Sequence, residues 1–124
     1  MTSWTSEELA KIGNADELAI ASRRPDGTLR PFVTIWVVHT GGDLYVRSVK
    51  GRSGTWFRHA LAAGEGRIRA GGIEWDVAFE EAGPEVHAAV TGAYHEKYDR
   101  YGPSIVGTVV SAESASTTLR LVPS

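Results

Sequence analysis

The chain has 124 residues, 42% of them hydrophobic, with a net charge of −2; that is room for one domain with a real core and too little for two. It has no cysteine, which excludes thiolate metal sites, cysteine nucleophiles and disulfides and accords with a cytoplasmic protein. The acidic balance argues against a general nucleic-acid binder, and no apolar run nears the ~18 residues of a membrane span.

Residues 1–9 are polar and hold Glu7 and Glu8, so no secretory signal is read there. Thr5 with Glu8 three residues on makes a capping-box pattern, which predicts a short helix over 5–12 ending at Gly13. Trp4 is placed to staple onto Leu9 and reads as structural. Residues 17–22 read as a strand, and Arg23-Arg24-Pro25-Asp26-Gly27 as a turn. Residues 29–39 form the longest strand candidate. From Phe32 to Val38 it is apolar on both faces apart from Thr34, which predicts a central strand. Thr40-Gly41-Gly42-Asp43 is a hairpin turn.

The next stretch organises the chain. Leu44, Tyr45, Val46, Arg47 and Ser48 alternate as a half-buried strand does. Lys50, Gly51, Arg52, Ser53 and Gly54 then form a basic, glycine-rich loop. Thr55 serves as an N-cap, and Trp56, Phe57, Ala60 and Leu61 give the following helix an apolar stripe. A loop with free N–H groups and cations at a helix start suits phosphate or carboxylate; the alternative is a solvated turn. The charge around it is uneven. Residues 23–64 hold seven basic side chains and two acids in a chain of net −2. A basic segment inside an acidic protein points to one local anionic ligand, against the alternative of chance scatter.

The helix ends at Gly64. Strands over 66–70 and 73–79 flank a Gly71-Gly72 turn, with Arg67 and Arg69 able to face Glu74 and Asp76. Pro84 opens the main helix, predicted over 84–101. Residues 104–110 read as extended, 111–115 as a polar loop or single turn, and 117–122 as a closing strand. The predicted fold is mainly β with helices (α+β), one domain over 1–124, a six-stranded antiparallel barrel.

The histidines, His39, His59, His87 and His95, lack metal-ligand spacing, so no metal is expected. No serine sits in a nucleophile elbow. Tyr94, Tyr98 and Tyr101 share one helical face. Such a stripe most often lines a core, but it can also form a rim that stacks on a flat ring and donates a hydrogen bond. A phenol in a dry site can polarise a carbonyl or nitro oxygen.

Arg30, Ile35-Trp36-Val37-Val38, Gly42-Asp43-Leu44-Tyr45-Val46, Ser48-Val49-Lys50-Gly51 and Trp56-Phe57 together resemble the deazaflavin-dependent nitroreductase family. The run from Ala93 to Tyr101 is similar to that family's C-terminal helix. The whole chain resembles more strongly a group of small actinobacterial proteins in the same flavin-binding split-barrel superfamily, a domain of unknown function numbered 2255. The resemblance runs over about residues 17–101 and rests on short motifs. It implies a split β-barrel. It also implies a cofactor tail held by Arg30, Ser48, Lys50, Gly51 and Arg52, with Trp36 as a flat-ring platform. Tyr94 and His59 fall on the substrate side, and Tyr98 and Tyr101 in the catalytic role. The chain departs from the family in having Thr34-Ile35 before Trp36, and His59 where the family has Asn.

The expected function is binding of flavin mononucleotide or a deazaflavin coenzyme and hydride transfer to a small conjugated acceptor. The alternatives are a cofactor-free enzyme using His39, His59 or a tyrosine as acid or base, and a non-catalytic small-molecule binding protein. The resemblance implies a homodimer, and the aromatic area of Trp36, Trp56 and Trp75 agrees with one. No membrane or nucleic-acid partner is expected.

Overall fold

The structure is a computed structural model that describes residues 3–124; Met1 and Thr2 of the polar opening lie outside the described residues. The chain opens with helix α1 (Ser6–Gly13), whose Thr5 and Glu8 form the expected reciprocal capping box. Trp4 is buried, and its indole N–H donates to the Leu121 carbonyl at 2.7 Å.

Seven strands form one sheet: β1 (Leu18–Ser22), β2 (Val33–Ile35), β3 (Val38–Thr40), β4 (Asp43–Val46), β5 (Glu65–Ala70), β6 (Ile73–Glu81) and β7 (Leu119–Pro123). Their spatial order is β2-β1-β5-β6-β7-β4-β3, and every pairing is antiparallel. The order explains the shape. β2 and β3 are consecutive in the chain yet occupy opposite edges of the sheet. Only Trp36 and Val37 join them, so the two edges must be drawn together, and the sheet curls into a split barrel with its seam at that junction.

The run 29–39 is therefore not a central strand but two three-residue edge strands. Its apolar pattern reported burial correctly at Val37 and Val38, but pattern alone cannot say which edge a strand pairs with. The split also raises the strand count from the predicted six to seven.

Breaking the ladder leaves the Val37 N–H and C=O without strand partners, which a buried backbone does not tolerate. Helix α3 (His87–Tyr98) supplies them. Val37 N–H donates to the Tyr98 hydroxyl at 3.3 Å, and that hydroxyl lies 2.8 Å from the Asp16 carbonyl and 3.1 Å from that of Val37. The Lys97 ammonium donates to the carbonyls of Gly13, Ala15 and Val37 at 2.6–2.7 Å. Burial pushes the Lys97 pKa down to about 8, while three acceptors around one nitrogen favour the ammonium, which has three protons to give. These two side chains rivet α3 across the seam.

The main helix covers the predicted 84–101 as a 3-10 turn, α3 and a second 3-10 turn. Helix α4 (Pro103–Val110) corrects the extended reading of 104–110. Its Ile, Val and Thr content favours strands, but Pro103 is pre-set for the first helical position, and Val106 and Val109 gain burial against Val90, Tyr94 and Tyr98. Packing overrides the weak β preference. A single helical turn, α5 (Ala112–Ala115), leads into β7. The barrel interior holds Leu18, Ile20, Leu44, Val46, Phe57, Ile68, Val77 and Leu121 among others. On the exposed face of the β5–β6 hairpin, Arg67 and Arg69 pair with Asp76 and Glu74 as expected.

Arg47 departs most from its sequence pattern. All of residues 44–48 are buried, and Arg47 is only 2% exposed. Its guanidinium donates to the hydroxyls of Thr118 and Thr91 and the carbonyls of Val109 and His87, all at 2.9–3.1 Å. It ties the end of β4 to α3 and α4 and has no carboxylate partner among the described residues.

Candidate functional site

The basic loop leaves β4 and reaches helix α2 (Thr55–Ala63) through a 3-10 turn at Gly51–Ser53. Ser48 is fixed from beneath. Its N–H donates to the Thr117 hydroxyl at 2.8 Å, and its carbonyl accepts from the Ser114 hydroxyl at 2.9 Å. Its own Oγ is buried and has no hydrogen-bond partner among the described residues. Gly54, not Thr55, is the N-cap of α2, and no side chain caps the helix. A Cβ on Gly54 would overlap Ser48 Oγ, so glycine is what lets the helix start pack directly on that hydroxyl. The first intrahelical bond runs from Arg58 N–H to the Gly54 carbonyl, which leaves the N–H groups of Thr55, Trp56 and Phe57 without an intrahelical acceptor.

This helix start opens into a cleft of about 480 Å³, with Arg30, Ser48, Lys50, Gly54, Trp56 and His59 on its walls and Val33, Ile35 and Val49 beside them. The cations of Arg30, Lys50 and Arg58 make no ion pair or side-chain hydrogen bond among the described residues. Burial, then Arg30, Arg58 and Arg24 in turn, hold the His59 pKa below its ordinary value. An uncapped helix N-terminus, an orphaned buried hydroxyl and unpaired cations converge, and that combination accepts an anion.

The cleft continues into a second hollow of about 300 Å³ that shares Thr34, Ile35, Val49 and Trp56 with it. Trp36, Arg47, Ile105, Thr108 and Val109 close that end. The site thus runs from a cationic mouth at α2 to a mainly apolar, tryptophan-lined end under α4, whose walls also carry Glu17 and Arg47.

The structure brings Arg30, Ser48, Lys50 and His59 together and sets other predicted site residues apart. Arg52 turns away, donating to the Ser116 carbonyl, pairing with Glu81 at 3.1 Å and covering the Phe57 ring. Gly51 is buried at φ +67°, where a Cβ would overlap Glu113; it shapes the loop. Trp36 lies in the apolar end with its ring stacked on Tyr98, centroids 3.9 Å apart. Tyr94 and Tyr98 are fully buried. The Tyr94 hydroxyl has no hydrogen-bond partner among the described residues, and burial raises its pKa. Burial likewise pushes Tyr98 up to about 12, and its hydroxyl is committed to the seam. Tyr101 is the open one, 41% exposed, its ring 5.6 Å from Trp36 and its hydroxyl accepting from Arg100. His39 lies elsewhere, in a separate hollow with Asn14, Glu96 and Lys97.

Sequence reading missed Thr34, Val49, Gly54 and Trp56 as cleft walls, and Ser114 and Thr117 as the supports of Ser48. Gly54 carried a signal, being a glycine directly before a helix. The supports lie 66 and 69 residues from Ser48 and carried none. Among the described residues no group of three or more His, Cys, Asp or Glu side chains could hold a metal ion, and no helix is long and apolar enough to cross a membrane.

The fold is a split β-barrel. Solved structures share it, among them these three. A conserved hypothetical protein, Rv2991 from Mycobacterium tuberculosis, aligns with TM-score 0.65 and 12% identity over 99% of this chain and 81% of its own. An F420 reductase aligns with TM-score 0.57 and 17% identity over 92% and 90%. A FAD-binding protein from Mesorhizobium loti aligns with TM-score 0.51 and 14% identity over 98% and 89%. At these identities the likeness establishes the fold. No curated protein matches the sequence. The chain belongs to the bacterial family described as "Uncharacterized protein conserved in bacteria (DUF2255)", whose model matches residues 8–121.

Proposed function

We propose that this protein binds a phosphorylated flavin or deazaflavin in the cleft and serves hydride transfer to a small conjugated acceptor. The observation that carries the reading is the Ser48 hydroxyl, buried and unpartnered beside an uncapped helix start. A phosphate oxygen there would accept from Ser48 and from the first N–H groups of α2, with Lys50 and Arg30 opposing its charge. Ile35, Val49 and Trp56 offer apolar walls for a flat ring, leading toward Trp36 and Ile105. The bound cofactor would supply the redox chemistry; the protein holds and aims it. Tyr101 would orient the acceptor. Tyr98 enters as the support beneath Trp36, since its hydroxyl already serves the seam.

The burial of Tyr94 and Tyr98 favours one second reading, a small-molecule binding protein without catalysis, because it removes two of the three phenols from any acceptor. In either case we propose a homodimer. Val33, Val49, Tyr101 and Ile105 are between 40% and 58% exposed; Val33, Val49 and Ile105 line the cleft and its apolar end, and Tyr101 adjoins Trp36 there. A second copy over that rim would cover them. Reconstitution with flavin mononucleotide and with F420, followed by visible spectra and mass analysis of the ligand released on denaturation, tests the proposal. A retained chromophore supports it, and a colourless protein after both treatments counts against it.

A further inference from the structure

We propose that the tryptophan-lined end of the cleft is an acid subsite, in which Arg47 receives the carboxylate of a small planar ligand, an aromatic or conjugated acid. The proposal narrows the acceptor class of the reading above, and rests on that reading only in taking a small molecule to enter this hollow.

The hollow of about 300 Å³ under α4 has one basic side chain in its wall, Arg47. The bond from Arg47 to the Val109 carbonyl, in the same wall, sets the guanidinium at the α4 side. Of the five N–H groups of a guanidinium, four are used, and all four acceptors are neutral oxygens. One N–H on Nη2 stays without an acceptor among the described residues. The Tyr94 ring, 5.5 Å from the guanidinium carbon, adds a cation–π contact but no counter-charge.

A charge taken out of water with nothing opposite it is costly. Burial accordingly pushes the Arg47 pKa below its ordinary value. Ties to four neutral oxygens do not in themselves call for a full charge. An arriving carboxylate does: it accepts from the spare N–H and meets the cation where water screens little. Glu17 is the one acid on these walls. It is exposed, and no ion pair joins it to Arg47 among the described residues, so it opposes an incoming acid weakly and leaves the arginine unneutralised.

Shape gives the rest of the ligand class. Trp36 is stacked on Tyr98 with ring planes 3° apart, a flat and supported platform. Ile35, Trp56 and Ile105 supply apolar walls around it. The volume lies at the small end of ligand sites, enough for one ring with its acid group.

Cinnamate and its neutral isostere cinnamamide are the probes, titrated by calorimetry into the protein alone and into protein treated with flavin mononucleotide or F420. Wild type should bind the acid about tenfold or more tighter than the amide in at least one form, as one charge-assisted contact gives. In protein carrying nitrogen-labelled arginine, the Arg47 side-chain resonances should shift with cinnamate and stay in place with cinnamamide. Arg47→Met should lose the preference for the acid and keep amide binding, with the melting temperature as a folding control. Glu17→Gln keeps the test open if that variant does not fold: with a like charge gone from the walls, it should bind cinnamate about twofold or more tighter and the amide as before. Equal affinity for acid and amide in every form, binding of neither, unmoved Arg47 resonances with cinnamate bound, or a preference that Arg47→Met retains would each overturn the acid subsite. The cofactor reading stands or falls separately. Uptake of flavin mononucleotide or F420 without any preference for the acid would overturn the subsite alone, and a preference for the acid with neither cofactor taken up would overturn the cofactor reading alone.

Discussion

Replacing Ser48 with Ala should move stability and binding in opposite directions. In the free protein Ser48 Oγ is buried and bonds to nothing among the described residues, and an unsatisfied buried hydroxyl costs ~1–3 kcal/mol. Removing it forfeits no bond. The backbone bonds to Thr117 and Ser114 stay, because they use the Ser48 N–H and carbonyl. The variant should therefore be as stable as wild type or more stable by up to about 1 kcal/mol. With phosphate in the cleft the same hydroxyl would become a charge-assisted donor, worth ~1.5–3 kcal/mol, so the variant should bind flavin mononucleotide or F420 about 10- to 100-fold more weakly. Urea denaturation without ligand and calorimetric titration with it measure the two sides. Destabilisation of the free variant by more than about 1 kcal/mol would show that the hydroxyl has a structural partner. Unchanged affinity would remove Ser48 from the site.

The seam predicts that Lys97→Met costs more stability than Tyr98→Phe, about 2–4 against about 1–2 kcal/mol, because the lysine satisfies three carbonyls; urea unfolding in which Tyr98→Phe is the costlier change would refute the rivet. His59 predicts a pH effect. Its folded pKa lies below the ordinary 6.5, so the unfolded chain takes up the extra proton first, and stability falls as pH drops from 6.5 through the folded value. A bound anion favours the imidazolium, so sulfate, which does not titrate in this range, should bind more tightly with falling pH to wild type but not to His59→Gln. Tyr101→Phe should cut turnover of an acceptor by about 10²-fold if the phenol donates to developing charge, with an unchanged melting temperature; unchanged turnover would leave Tyr101 a packing residue beside Trp36.

Local features were legible in the sequence. Thr5 and Glu8, the Gly41-Gly42 and Gly71-Gly72 turns and the α2 loop each depend on neighbours within a few residues, and each appears where it was read. Arg30, Ser48, Lys50 and His59 were named through the resemblance to a known family, and the structure sets all four on the walls of one cleft. What the sequence hid is long-range. The break at Trp36 and Val37 follows from which edges β2 and β3 pair with, a property of the whole sheet. Arg47 alternates like a wet strand residue but faces α3 and α4 instead of water. Nothing local marks Lys97 as a seam residue, since its three acceptors lie 60 to 84 residues away. Arg52 looked like part of the anion site because it sits in the loop; its side chain leaves on the other face, toward Glu81.

The central claim, that the α2 mouth of the cleft holds the phosphate of a flavin or deazaflavin, is tested most directly by thermal shift in flavin mononucleotide and F420. Wild type is to be compared with an Arg30→Ala/Lys50→Ala double variant. A ligand at 100 times its dissociation constant stabilises by about 2.7 kcal/mol, so wild type should melt several degrees higher with at least one of the two, and the double variant should lose most of that shift. Equal shifts in both proteins would put the phosphate elsewhere, and no shift with either ligand in wild type would contradict the account.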